Sequence, residues 1–149
     1  MPNGIRRIRK SIGDSNMEFN TQICTTREQS LRLLAMGVKP ETADMVHQAI
    51  GATEYKVWHK NKVEDDFFPA WSLHRLLYMM PFNIYKCGGY MNFKLLPPFG
   101  DGVGYEKSMA RVKEDVVLFD ESQNLFDNII SCYQFLIKNG RINESYLTK

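Results

Sequence analysis

The stretch SQNLFDNIISCYQFLIKNG, residues 122–140, restricts the fold more than any other part of the chain. Wound as an α-helix, it places its polar side chains on one narrow stripe, formed by Asp127, Asn128, Ser131, Gln134 and Lys138. Large apolar side chains occupy the rest of its surface, so the helix has to be nearly surrounded by other elements. At ~1.5–3 kcal/mol for each large apolar side chain that is fully buried, this helix is predicted to contribute more to the core than any other element.

The clearest strand signal is NIYKCGGYMNFKLL, residues 83–96. Gly88-Gly89 suits a two-residue hairpin loop, because glycine accepts a positive φ at both positions. Counting outward from that loop predicts Ile84 opposite Phe93. One face is then apolar except for Lys86, and the other carries Tyr85, Cys87, Tyr90, Asn92 and Lys94. One-sided burial of this kind is typical of an antiparallel sheet.

The stretch ICTTREQSLRLLAMGVKPETADMVHQAI predicts two helices. Overlapping capping-box pairs begin at Thr25 and at Thr26, and either can start the first helix. Gly37 is expected to end it. Pro40 favours the first turn of a second, short helix, which is expected to end near residue 51.

The stretch FFPAWSLHRLLYMMPF, residues 67–82, combines an imidazole, two thioethers and a tryptophan between prolines. We interpret it as core structure rather than as a ligand site. Ser72 is a plausible N-cap, and the apolar side chains that follow have helical spacing: Leu73, Leu76, Leu77 and Met80. Pro81 should stop the helix. The alternation in TEYKVWHK, residues 53–60, predicts an edge strand, and YEKSMARV and VVLF are also predicted to be extended, after a PPFGDGVG loop.

Together these elements predict an α+β fold, in which an antiparallel sheet of three to five strands is packed on one face by helices. The predicted order is α-α-β-α-β-β-β(β)-α. Residues 17–149 form a single globular domain of ordinary size, preceded by a flexible basic leader, residues 1–16. A second interpretation places the native start at Met17, where the globular pattern begins.

The cysteines Cys24, Cys87 and Cys132 are odd in number and form no C-x-x-C pair, which argues against a disulfide framework or a zinc ribbon. Free thiols indicate a reducing compartment, and no apolar run approaches the ~20 residues that cross a bilayer, so we expect a cytoplasmic protein without a membrane partner. Cys24, just before a helix start, is the best of the weak nucleophile candidates.

The three imidazoles, His47, His59 and His74, have no metal-ligand spacing, although Asp44 lies one helical turn before His47. The run GDGVGYEKS lacks the glycine-lysine junction of a phosphate loop. We therefore predict no cofactor, no metal site and no catalytic residue. An enzyme that uses Cys24 or a histidine is the third-ranked alternative.

Charge leaves two kinds of partner open. The chain has a formal net charge of +2, but its leader contains four cations, Arg6, Arg7, Arg9 and Lys10, so the rest is close to neutral. The leader, together with Lys56, Lys60 and Lys62 near the predicted edge strand, forms a candidate nucleic-acid surface. Trp58, Phe67 and Phe68 form a candidate protein-interaction patch, where aromatic residues lie beside a polar loop.

Several blocks of the chain resemble a recurring set of small proteins from phages and mobile elements of gut bacteria. The blocks are ICTTREQSLRLLAMGVKPETADM, PAWSLHRLLYMMP and a closing helix that ends in FLIKNGRI. The resemblance covers most of residues 23–142 and implies an intracellular protein of phage or prophage origin, without an assigned activity. The favoured hypothesis is a non-catalytic accessory or interaction protein whose partner is a protein, and nucleic-acid binding is the alternative.

Overall fold

A computed structural model describes residues 21–50, 55–59, 67–86, 88–96, 102–107, 116–119 and 124–149. The predicted leader lies outside these residues, and so does the boundary at Met17. The described elements are helices α1 (Arg27–Ala35), α2 (Leu73–Met79) and α3 (Leu125–Lys138), and strands β1 (Met45–Ala49), β2 (Tyr55–His59), β3 (Phe68–Ala70), β4 (Asn83–Lys86), β5 (Gly89–Leu96), β6 (Gly102–Glu106) and β7 (Val116–Phe119). Short 3-10 turns span Pro40–Thr42 and Glu144–Tyr146. The predicted α+β class with antiparallel strands is confirmed.

The start of α1 follows from its capping box. Of the two overlapping pairs, the second forms: the Thr26 hydroxyl accepts a hydrogen bond from the Gln29 amide at 3.2 Å, and the Gln29 side chain accepts one from the Thr26 amide at 3.0 Å. Gly37 follows the helix with a φ of 94°, a left-handed conformation that favours glycine. The first predicted helix therefore has both of its predicted ends.

The second predicted helix is wrong. Pro40 begins only a single 3-10 turn, and the chain then enters strand β1. This strand is central in a three-stranded antiparallel sheet of order β2-β1-β3. Neighbouring strands on both sides supply hydrogen-bond partners for the main chain of β1. The local helix-start signal is too short to stabilise a helix by itself, so the strand pairing decides the conformation.

The edge strands of this sheet explain two features of the sequence. The predicted strand at residues 53–60 is present as β2 and lies at an edge, as expected. Strand β3, which was not predicted, forms the other edge and contains Pro69 opposite Val46. An edge tolerates proline because one side of the strand needs no N–H donor. The Ser72 hydroxyl then caps α2 by accepting from the Arg75 amide at 3.1 Å.

Four strands form the second sheet, in the antiparallel order β4-β5-β6-β7. The hairpin register differs from the prediction: Ile84 is opposite Met91, not Phe93, and Lys86 is opposite Gly89. The connection is therefore residues 87 and 88, and Gly88 has a φ of 75°. Because the offset is two residues, the described side chains of the hairpin keep their predicted faces.

Strand β6 begins inside the predicted PPFGDGVG loop. At Gly104, an added Cβ would lie 1.8 Å from the Val117 carbonyl oxygen of β7. Glycine here permits a close approach of two strands instead of marking a loop. Residues 102–106 of the run GDGVGYEKS are thus a strand.

The core lies between α3 and the four-stranded sheet. Fully buried side chains of α3, including Ile129, Tyr133 and Leu136, pack with Met91 and Tyr105 of the sheet. The Trp-led stretch joins the same core: Trp71, Leu76 and Met79 are buried, and the Trp71 indole N–H donates to the Thr42 hydroxyl at 2.9 Å. The apolar face of this stretch is therefore core, as interpreted from the sequence, whereas Tyr78 and Phe82 are exposed. Within the described residues, no helix combines the length and apolar character that crossing a bilayer requires.

Candidate functional site

Helix α3 packs on one face of the four-stranded sheet. The register places the following residues on the other face, which we call the open face: Asn83, Tyr85, Tyr90, Asn92, Lys94, Gly104, Glu106, Val116 and Leu118. On the covered face, Met91, Val103 and Tyr105 are fully buried. Directly paired residues share a face, so the alternating pattern separates a dry side from a side with exposed aromatic rings.

Two tyrosines dominate the open face. Tyr85 of β4 is directly opposite Tyr90 of β5, and their rings pack edge to face with centroids 5.4 Å apart. Their exposed fractions are 49% for Tyr85 and 69% for Tyr90. Edge-to-face packing is a preferred geometry of aromatic pairs, so the two rings form one continuous aromatic surface.

The rest of the open face carries little net charge. Asn83 and Asn92 form the next cross-strand pair, so amide groups flank the two rings. Lys94 lies opposite Gly104, which has no side chain. The charged residues that the register places on this face are Lys94 and Glu106, whose charges cancel.

Phe82, immediately before β4, has the largest exposed fraction of the large hydrophobic side chains described, 82%. Its carbonyl accepts a hydrogen bond from the Phe93 amide at 3.0 Å, so its backbone continues the edge of the sheet. By the alternation along the strand, Phe82 falls on the side of Ile84 and Phe93, so its exposed ring is not part of the open face.

The structure divides the predicted patch of Trp58, Phe67 and Phe68. Trp58 pairs with Val46 of β1, and Phe68 pairs with His47 of the same strand. Val46 and His47 are consecutive residues of a strand, so Trp58 and Phe68 lie on opposite faces of the three-stranded sheet. Trp58 is 45% exposed, and its indole N–H donates to Gln48 at 2.9 Å. Phe67 and Phe68 are half-buried, and the Arg27 guanidinium lies 4.9 Å from the Phe68 ring centre.

Of the predicted nucleic-acid residues, the structure describes only Lys56. Its ammonium lies 4.1 Å from the centre of the Trp58 ring, a cation–π contact. The others, Arg6, Arg7, Arg9, Lys10, Lys60 and Lys62, lie outside the described residues.

A groove of about 1020 Å³ runs between α1, α3 and β7, and we call it the α1–α3 groove. Arg32 and Asp127 form an ion pair at 3.1 Å across it, and the side-chain Nε2 of Gln29 donates to the same carboxylate at 3.0 Å. The rings of Phe119 and Phe135 lie 6.1 Å apart in its lining. Exposed Gln134 and Lys138 continue the wall along α3.

The described cysteines are poorly suited to nucleophilic chemistry. Burial, and then the nearby Asp44 carboxylate, raise the pKa of the Cys24 thiol to about 11. Burial raises the pKa of Cys132 to about 12. A nucleophilic cysteine needs a lowered pKa, and the position of Cys24 before α1 does not supply it. Cys87 lies outside the described residues.

The imidazoles are dispersed. His47 is buried in β1, with Nε2 2.8 Å from the Thr25 carbonyl oxygen, whereas His59 and His74 are exposed. Asp44 is not one helical turn from His47, because this segment is not helical. Its carboxylate instead accepts hydrogen bonds from the amide and the hydroxyl of Ser72. Among the described residues, no group of three His, Cys, Asp or Glu side chains converges as metal ligands would.

No family model matches the chain, and neither a curated protein nor a solved structure matches it. The resemblance to phage and mobile-element proteins thus stays a prediction. Neither the open face nor the α1–α3 groove was proposed as a site from the sequence. The signal for the open face was present, since the hairpin pattern placed Tyr85 and Tyr90 on one side. The pattern could not show that helices would leave that side uncovered.

Proposed function

We propose that this protein is a non-catalytic interaction protein of phage or mobile-element origin that acts inside the cell, and that its open face binds a partner protein. The observation that supports this proposal is the exposed, mutually packed pair of Tyr85 and Tyr90 on the open face. Tyrosine is enriched at protein interfaces because its ring buries a large area at a low cost in conformational entropy.

Charge favours a protein over a nucleic acid at this surface. A surface that binds nucleic acid gains most of its affinity from cations that neutralise phosphates. On the open face, the one lysine is offset by Glu106. Depletion of charge together with exposed aromatic rings is instead the composition of a protein-interface core.

The chemistry of the described thiols favours a binding role over covalent catalysis. Cys24 and Cys132 are 4% and 0% exposed, and their raised pKa values keep them protonated at neutral pH. These groups stabilise the dry interior and offer no thiolate to a substrate.

The test is affinity capture from a lysate of the source cells with the immobilised full chain and three variants. Tyr85→Ser and Tyr90→Ser remove the rings of the open face. Tyr78→Ser is the matched control, because Tyr78 is 67% exposed on α2, outside the sheet. We expect a stoichiometric protein partner that wild type and Tyr78→Ser retain and that both open-face variants lose, with unchanged melting temperatures.

Two outcomes would overturn the proposal. Equal capture by all four proteins would place the binding surface elsewhere. Capture that nuclease abolishes, with binding to single-stranded oligonucleotide that weakens steeply with salt, would show nucleic-acid binding instead. Deleting residues 1–16 in the same assay tests the predicted basic leader, whose removal should abolish such binding if the leader carries it.

A further inference from the structure

A second surface lies where β7 meets the α1–α3 groove, and it shares Leu118 of β7 with the open face. Strand β7 pairs with β6 on one side, and the described residues contain no strand on its other side. An edge strand presents main-chain N–H and C=O groups that can pair with an added strand. Leu118 and Phe119 of β7 line the groove, so this edge borders a concave space and not a flat surface.

We infer that the α1–α3 groove binds a short extended peptide segment of a partner protein, which adds to the edge of β7 as a further strand. Strand addition of this kind combines main-chain hydrogen bonds, which give affinity, with pockets for alternate side chains, which give specificity. The edge of β7 would supply the main-chain hydrogen bonds, and the walls of the groove would supply the side-chain pockets.

The dimensions of the groove fit such a segment. Four extended residues, the length of β7, span about 13 Å. On α3 the lining runs from Asp127 to Lys138, which is about 16 Å at 1.5 Å per residue. The volume of about 1020 Å³ lies just above the range for small-molecule sites, roughly 300–1,000 Å³.

The charges of the groove select a neutral peptide over an anionic polymer. Arg32 and Asp127 neutralise each other in their ion pair. The remaining charged residues of the lining are Glu28 and Lys138, one of each sign. A balanced lining complements a peptide without net charge and offers no excess of cations to a phosphate backbone.

The walls of the groove indicate the side chains that it would accept. Phe119 and Phe135 provide an apolar floor for one aliphatic or aromatic side chain. The exposed amide of Gln134 can exchange hydrogen bonds with a polar neighbour on the peptide. The preferred segment therefore alternates an apolar with an uncharged polar residue, as a half-buried strand does.

The test selects peptides from a phage-displayed library of random dodecapeptides on the immobilised full chain, and measures the affinity of labelled synthetic copies by fluorescence anisotropy. Gln134→Trp fills the groove from an exposed helix position. Leu31→Trp is the matched control, because Leu31 is 56% exposed on α1 and does not line the groove. Tyr90→Ser separates this surface from the open face, so each proposal can fail independently of the other.

We expect enriched peptides with an alternating apolar and polar pattern. Their affinity should fall roughly tenfold or more in Gln134→Trp, as a sterically blocked contact requires, and should be unchanged in Leu31→Trp and Tyr90→Ser. Hydrogen exchange of the β7 amides should slow when peptide is bound, because new main-chain hydrogen bonds protect them.

Several results would overturn the inference. Peptides that bind Gln134→Trp normally, or no enrichment over the bare support, would show that the groove is not a peptide site. A wild-type dimer that Gln134→Trp dissociates would identify a second copy as the occupant. Peptide binding that appears only after deletion of residues 1–20 would assign the groove to the chain's own N-terminal residues.

Discussion

Replacing Gly104 by alanine should destabilise the protein through a collision between main-chain atoms. Gly104 lies in β6 opposite Leu118 of β7. The added Cβ would lie 1.8 Å from the Val117 carbonyl oxygen and 2.8 Å from the Leu118 Cα. Neither atom can rotate away, as a side chain would, so β7 has to move by an ångström or so and its pairing with β6 has to weaken.

The magnitude follows from the cost of overpacking and of lost hydrogen bonds. Overpacking in a well-packed interior costs typically about 1–3 kcal/mol. Each main-chain hydrogen bond weakened at the strand pair adds about 1 kcal/mol. We expect a loss of about 3 kcal/mol in the free energy of unfolding, which lowers the melting temperature by roughly 6–12 °C for a chain of this size.

Urea unfolding followed by circular dichroism measures this loss, and Gly89→Ala provides the control. A Cβ at Gly89 would lie 3.3 Å from the Cε of Lys107, the mobile end of a long side chain. Alanine restricts the unfolded chain more than glycine does. This effect should stabilise the protein by about 0.4–1 kcal/mol and offset the contact. If Gly104→Ala unfolds at the same urea concentration as wild type, or if Gly89→Ala loses as much stability, the argument from main-chain contact is wrong.

Two further predictions concern the cap of α1 and the buried thiols. Thr26→Ala removes the hydroxyl that caps α1 and should lower the free energy of unfolding by about 1 kcal/mol in urea titrations. Thr26→Ser keeps a hydroxyl and should retain most of the wild-type stability. Equal stability of Thr26→Ala and wild type would contradict the role of the cap. Because burial raises the pKa of Cys24 to about 11 and of Cys132 to about 12, from 9.0 in both cases, the stability that these thiols contribute is complete below pH 9 and is lost as the pH rises from 9 toward 12. Peptide mapping after iodoacetamide treatment at pH 7.5 should find both thiols unmodified in the native protein and modified in urea, and rapid native labelling of either would show an accessible thiolate.

The sequence predicted best where local chemistry and burial pattern agree. The helix at α3 could be found because its apolar face is wide and its polar stripe is continuous, and the structure buries Phe126, Ile129 and Leu136 accordingly. The start of α1 followed from a capping box that is complete within four residues. Such signals depend on neighbours along the chain, so a sequence contains all of the relevant information.

Prediction failed where a distant partner decides the conformation. Residues 45–49 follow a helix-start signal at Pro40, yet they form a central strand, because β2 and β3 pair with them from both sides. The local sequence predicts a loop at Gly104. The contact that requires glycine there is made with β7, whose residues lie farther along the chain. Neither partner is visible in a local pattern.

The candidate surfaces show the same division. The sequence by itself determined which residues of each strand share a face, because side chains alternate along a strand whatever surrounds it. It thereby placed Tyr85 and Tyr90 together and placed the thiol of Cys132 on an apolar helix, whereas the burial of Cys24 came from the tertiary structure. Only the tertiary structure decided which face α3 would cover and where the edge of β7 would leave a groove, since covering and exposure depend on how whole elements pack against one another.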